Sequence, residues 1–431
     1  MGKNRQKKLR INGISFSLFF FFIPFIAASF PSVPARADSS QKEFRAKVFG
    51  RWITVKPGDP RSVTAWDTGL DISEPPPEGS EILPFGEFYI WRHPDSRTLF
   101  RAEISGVWDD IFLARRIDGP LEAVLTFTNY TVPFPQSELV DGKELKTEQL
   151  LWGYIRPGFG IGWRRQVWPG NQDNMLAADL TIEPGFLFFA KGSDTARNFT
   201  APRDTPELRA HLQVRWDALR RNLIKLPQEG YAAGADLVYG YRPGWRDWGI
   251  DRAQAASGGR EYASFAGYFL AAGGVPWVPL APLVKERHRL IGAIYGGSGY
   301  HLDRFSAVRV GGGPNPFGEE YGSTYRPILP GSAIYEFSPQ QYLLATVEYR
   351  YQPAFFACIG LDASAGWLDR FRRTGTQIVK KNDVLPAIGT RLTTGFFFDT
   401  LLQIAYNHNF GVVRENSFGG NEILINISGE F

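Results

Sequence analysis

The chain has 431 residues, 48 Lys and Arg against 44 Asp and Glu, and a single cysteine, Cys358, which excludes an internal disulfide. Six of the positive charges (Lys3, Arg5, Lys7, Lys8, Arg10 and Arg36) precede Ala37 and no acid does. The remainder carries 42 against 44, formally −2, so the basic balance belongs to the first segment and gives no case for a nucleic-acid partner.

That first segment pairs the basic start with an apolar run from Ile14 to Phe30, followed by Ala35-Arg36-Ala37. The pattern predicts a secretory signal peptide over residues 1–37 with an A-x-A cleavage site. No later run of about twenty apolar residues predicts a membrane helix. Residues 38–84 are expected to be a periplasmic N-terminal segment or linker. Within it Phe44 to Val55 reads as a strand or an amphipathic plug, and Pro75-Pro76-Pro77 as a stiff connection.

From Phe85 the chain reads as a series of strands of about ten residues. In the clearest, Leu208, Ala210, Leu212, Val214 and Trp216 alternate with Arg209, His211, Gln213, Arg215 and Asp217. The same two-faced design recurs at Leu121–Thr128, Ala178–Glu183, Tyr231–Arg242, Leu343–Tyr351, Phe355–Trp367, Ile388–Phe398 and Gln403–Phe410. In the last stretch Ile423, Ile425, Ile427 and Phe431 alternate with Glu422, Asn426, Ser428 and Glu430, and the chain stops on an aromatic. An aromatic content of 15% with a slightly polar mean hydropathy of −0.22 fits strands that are apolar outside and polar inside. The fold class expected is all-β: a transmembrane antiparallel barrel of about 16 strands over residues 85–431, located in the bacterial outer membrane.

The connections support closure. Counted back from Phe431, the links read as open (Gly411–Gly420), tight (Asp399-Thr400), long (Leu368–Pro386), tight (Gln352-Pro353) and longest (about Leu302–Gln340). Short periplasmic turns alternating with long outer loops are what an outer-membrane barrel requires. The link Gly274–Glu286 is longer than a periplasmic turn should be.

Several of these stretches resemble one family. Val308-Arg309-Val310-Gly311-Gly312-Gly313-Pro314-Asn315 is similar to the glycine-rich start of the sixth outer loop in the BamA–TamA barrel superfamily, the bacterial surface antigen family. Tyr342–Pro353 resembles that family's strand with inward Glu and Arg, Ile388–Tyr406 its penultimate hairpin, and Ile427–Phe431 its closing strand. Trp216-Asp217, Arg221-Asn222, Pro227 and Gly230 resemble its strand–turn pattern. That family usually carries several periplasmic POTRA domains, and residues 38–84 are too few for one, so a short form without them is expected. The resemblance also implies a working part made of the sixth loop and the seam between first and last strands. It departs from the family in lacking the Arg-Gly-aromatic loop tip: Arg309 and Arg326 are the only arginines between Phe305 and Pro339.

Chemistry beyond this is sparse. His211 stands six residues from Asp217, about 20 Å along a strand. Asn407-His408-Asn409 has no Ser two residues on, no Cys/His pair has metal spacing, and Gly311-Gly312-Gly313 lacks the Lys-Ser/Thr of a phosphate loop. No enzyme activity, cofactor or metal is expected. The inward charges read as cross-strand ladders. The sharper expectation is a lock in which Arg309 or Arg326 docks on Glu348 or Asp362. Trp152, Trp163, Trp168, Trp245, Trp248, Trp277 and Trp367 are expected at the lipid interface, with a sugar platform as the alternative for Trp245 and Trp248. The partners expected are outer-membrane lipid, the barrel assembly machinery through the C-terminal strand, and client proteins or small solutes. The function expected is assembly or translocation of membrane components; the alternatives are a passive or plugged pore and a surface-binding barrel.

Overall fold

The computed structural model describes residues 44–48, 51–55, 62–77, 82–166, 175–221, 226–254, 258–275, 287–314, 327–374, 377–397, 400–414 and 417–430. Sixteen long strands close into one antiparallel barrel. In chain order they are β1 (Ser62–Glu74), β2 (Ile82–Asp95), β3 (Thr98–Ile104), β4 (Trp108–Asp118), β5 (Leu121–Thr131), β6 (Leu150–Gln166), β7 (Met175–Lys191) and β8 (Thr205–Asp217). They continue as β9 (Pro227–Tyr241), β10 (Glu261–Gly274), β11 (His288–Tyr300), β12 (Gln341–Ala354), β13 (Ala357–Thr374), β14 (Gln377–Phe397), β15 (Thr400–Arg414) and β16 (Ser417–Glu430). Each pairs with its neighbour, and β16 returns to β1 over ten consecutive register pairs from Asn421↔Glu74 to Glu430↔Ala65. Closure leaves no unpaired edge.

The alternation read from the sequence is the barrel's inside and outside. Leu180, Leu208, Leu237, Val347, Leu361, Ile423 and Ile427 are exposed on the outer face, whereas Asp179, Thr181, Glu183, Asn407, Glu422 and Asn426 are buried on the inner one. One inner stretch is apolar: Val63, Tyr89, Trp91, Leu99, Phe112 and Val124 form a core under β1–β5.

Both ends of the barrel lie on one rim, since Ala65 pairs with Glu430. The tight closures Asp95↔Thr98, Asp118↔Leu121 and Ala354↔Ala357 share that terminal rim. The far rim carries the links 132–149, 192–204, 242–260 and 301–340, so the longest link falls between β11 and β12 as expected. The link between β10 and β11 falls on the terminal rim despite its length.

Three sequence expectations need correction. The barrel begins at Ser62, and the expected boundary at residues 84/85 falls inside β2. Pro75–Pro77 therefore follow the first strand instead of preceding the barrel. Ser62–Glu74 lacks a clean two-faced pattern because Val63 and Ala65 are apolar on its inner face while Thr64 and Thr68 interrupt Trp66, Leu70 and Ile72 on its outer one. The described residues of the stretches Leu368–Pro386 and Gly411–Gly420 are strand, not open loop. The β13–β14 ladder runs unbroken to Thr374↔Gln377, and β15–β16 closes at Arg414↔Ser417. Their charged composition marks strand ends beyond an apolar band. Finally, Trp152, Trp245 and Trp248 are buried in a core beneath the far rim, while Trp367 faces outward as expected; Trp168 and Trp277 lie outside the described residues. Phe44–Val48 and Arg51–Val55 pair as a separate hairpin, consistent with the strand reading there. Residues 1–37 lie outside the described residues.

Candidate functional site

The site is the long link 301–340 and the walls that hold it. Its first residues anchor to the β6–β9 side. Asp303 receives Arg242 Nη1 at 2.8 Å, and Arg242, fully buried, also donates Nε to Glu207 at 2.9 Å. Glu207 takes a further bond from Arg156 at 2.7 Å and one from the Tyr262 hydroxyl at 2.8 Å. Beside this network the Phe305 ring sits among Trp152, Phe189, Trp245 and Trp248, with centroids 4.9–5.9 Å apart. Arg304 covers Trp248 and Phe305 with its guanidinium and donates to the Glu148 carbonyl at 3.0 Å. Burial pushes the Glu148 carboxyl above its ordinary range. An aromatic core thus pins the start of the link, and the tryptophans belong to packing, with no open face for a sugar.

The base of the link is held by the last two strands. Val310 bridges to Phe337, and Gly311 and Gly312 bridge to Ile328 and Ile334, folding the two limbs together. Val310, Leu329 and Phe337 pack on Tyr342, Leu344, Leu368, Leu385 and Val412 of the inner wall. Glu422, fully buried on β16, accepts the Gly313 amide at 2.5 Å, the Gly331 amide at 3.0 Å and Asn407 Nδ2 at 2.7 Å. Asn409 on β15 donates Nδ2 to the Pro330 carbonyl at 3.0 Å. Arg414 donates Nη1 and Nη2 to the two Glu336 oxygens at 2.7 and 2.6 Å.

This geometry explains the glycines. A Cβ on Gly312 would stand 2.0 Å from the Ser332 carbonyl oxygen and 2.4 Å from Glu422 Oε1. One on Gly311 would stand 2.3 Å from the Ala333 oxygen. Gly331, at φ +74°, lies against the Asn409 amide. Backbone approaches this close need residues without a side chain.

The expected lock takes a different form. Arg309 Nη2 donates to the Arg304 carbonyl at 2.9 Å and lies 3.8 Å from Glu138, so it does not dock on Glu348 or Asp362. Glu138, from the link 132–149, also accepts the Ser338 hydroxyl. Glu348 is held by Arg350 of its own strand through two bonds of 2.9 and 2.8 Å, and Asp362 is its register partner across β12–β13. Arg326 and Phe431 lie outside the described residues. Sequence reasoning missed Glu422, Glu336 and Arg414. The signal was there: Glu422 is an acid on the polar face of the closing strand, and the loop carries a glycine triplet.

Elsewhere the ladder reading holds. His211 bridges Glu183 at 3.0 Å and Asp236 at 2.7 Å, with Arg209 and Arg215 flanking them, so Asp217 is not its partner. Asp217 instead turns back to the Leu219 amide and Arg221, shaping the β8–β9 link.

The fold defined by these features is a sixteen-stranded barrel with an inward-anchored sixth far-rim link, and it has counterparts among solved structures. BamA from Haemophilus ducreyi lacking POTRA domains 1–3 is similar with a TM-score of 0.50 at 10% identity, over 90% of this chain and 75% of that one. CdiB from Escherichia coli gives a TM-score of 0.49 at 8% identity, over 91% and 68%. OccK10 (OpdN) from Pseudomonas aeruginosa gives 0.33 at 11% identity, over 85% and 97%. At these identities the likeness is one of fold. No protein-family model matches the chain, and no curated protein does.

Proposed function

We propose that this chain is an outer-membrane barrel of the BamA–TamA type, and that it handles membrane proteins or lipids at the β16–β1 seam under control of the link 301–340. The exposed Leu, Ile, Val and Phe of the outer face would meet lipid, the far rim with its long links would face outward, and the terminal rim would face the periplasm. One observation carries the reading: Glu422, on the strand that closes the barrel, bonds directly to both limbs of the link. A rearrangement of β16 at the seam would therefore disturb the link, and release of the link would free β16. Such a device needs no catalytic residue, cofactor or metal. Its partners would be membrane lipid, client proteins and, for its own insertion, the machinery that reads a C-terminal strand.

The test is to clamp the seam. In a Cys358→Ser background, Thr68→Cys and Ile427→Cys place two thiols on register partners of β1 and β16. Oxidation should lower the levels of other outer-membrane proteins, and reductant should restore them. A second reading, a plugged pore, is favoured by the link's attachment to both the β6–β9 and β15–β16 walls. If the clamped barrel leaves those levels unchanged while small-solute uptake follows the presence of this chain, the assembly reading is wrong and the pore reading stands.

A further inference from the structure

A cavity of about 440 Å³ opens at the terminal rim, between the β4–β5 turn and the end of β6. It is lined by Arg116, Gly119, Pro120, Trp163, Arg164 and Arg165. Its floor is fixed, because the Arg164 amide donates to the Pro120 carbonyl at 2.9 Å. The Arg164 side chain is also fixed and neutralised: Nε bonds Glu122 at 2.9 Å and the guanidinium lies 5.5 Å from the Phe112 ring centroid. Arg116 and Arg165 differ. Both are exposed, and neither guanidinium has an ion pair or hydrogen bond among the described residues. Both line the cavity, and Glu122, the register partner of Arg116, is already bonded by Arg164, so three arginines share one cavity with a carboxylate that Arg164 engages, and an entering anion would relieve their repulsion.

We propose that this cavity binds the phosphate of an anionic lipid headgroup. Guanidinium forks match phosphate oxygens two at a time. Trp163 shares its strand face with the exposed Ile161, and an indole at such a height is where a membrane interface places one. The rim position puts the pocket level with the headgroups of the leaflet on the side of the chain termini. The inference rests on the membrane-spanning reading alone; it does not depend on what the seam handles, and its failure would leave that reading intact.

The experiment uses the full chain purified in detergent and native mass spectrometry with phosphatidylglycerol, phosphatidylcholine or inorganic phosphate. Wild type should retain phosphatidylglycerol in preference to phosphatidylcholine. Arg116→Gln with Arg165→Gln should weaken that retention about tenfold, the loss of roughly one charge-assisted bond. Arg116→Lys with Arg165→Lys keeps the charge without the fork and should fall between the two. Gel mobility of unheated samples reports whether each variant is folded. Equal retention by folded wild type and glutamine variant would overturn the proposal, as would equal retention of the two lipids. If inorganic phosphate binds and displaces phosphatidylglycerol at matched concentration, the pocket is a free-phosphate site and the lipid assignment is wrong.

Discussion

Arg414 and Glu336 meet through two parallel hydrogen bonds of 2.7 and 2.6 Å, with both side chains almost wholly removed from solvent. One belongs to β15, the other to the link that folds beneath the far rim, so the pair ties a loop to the wall at a point water does not reach. Breaking such a pair from one side leaves an uncompensated buried charge. Arg414→Ala or Glu336→Ala should each destabilise the barrel by about 3–5 kcal/mol, while Arg414→Met combined with Glu336→Leu should recover most of the loss. Denaturant titration in micelles would measure this, and a double variant no better than the singles would show that the pair does more than neutralise itself.

Glu422 accepts the Gly313 and Gly331 amides and Asn407 Nδ2 with its two oxygens. Glutamine in its place would keep one acceptor and turn an amide donor toward groups that also donate. Glu422→Gln should therefore cost about 1–3 kcal/mol at the loop anchor and raise protease cleavage within residues 301–340 without unpairing β16. Cleavage at the wild-type rate would mean that the loop is held elsewhere.

Gly312 offers a backbone test of the same anchor. Its added Cβ would collide with the Ser332 carbonyl oxygen, so Gly312→Ala should destabilise by about 2 kcal/mol as an overpacking change. Gly273→Ala, where a Cβ meets nothing within 4 Å, is the control and should remain near neutral in the same unfolding assay.

The outer face makes its own prediction. Leu180 is exposed and flanked in register by Ile161 and Leu212. Leu180→Arg should cost about 2–4 kcal/mol in a bilayer, whereas Thr346→Lys on the inner face should stay within about 1 kcal/mol. Similar costs for both, measured by unfolding from lipid vesicles, would contradict a lipid-facing exterior.

What could be read from the sequence follows from where each residue type meets its surroundings. Leu208–Asp217 declared a strand with two faces because one face meets an apolar surround and the other charged neighbours. The long link was legible because nothing between Leu302 and Gln340 alternates. The first strand was not, since threonines interrupt its outward Trp66, Leu70 and Ile72 while Val63 and Ala65 put apolar residues on the inward face. The anchor was hidden for another reason. Glu422 holds its loop by bonding backbone amides, and an amide leaves no trace in a sequence except the glycines that let it come close. Arg309 misled because an arginine can turn toward any nearby carboxylate or carbonyl, and Glu138 and the Arg304 carbonyl lie within its reach.

The wall of this barrel is uneven. β3 has only 7 residues while β13 and β14 have 18 and 21. At about 3.3 Å per residue and a tilt near 40°, seven residues rise only about 18 Å, against an apolar band of about 25 Å in barrels of this kind. A bilayer lying against that low side would have to pinch or leave grease in water, and pinching costs less. Acyl chains there would be compressed and disordered, so the sheath around this cylinder would be weakest beside β3, a neighbour of the strand that carries Arg116.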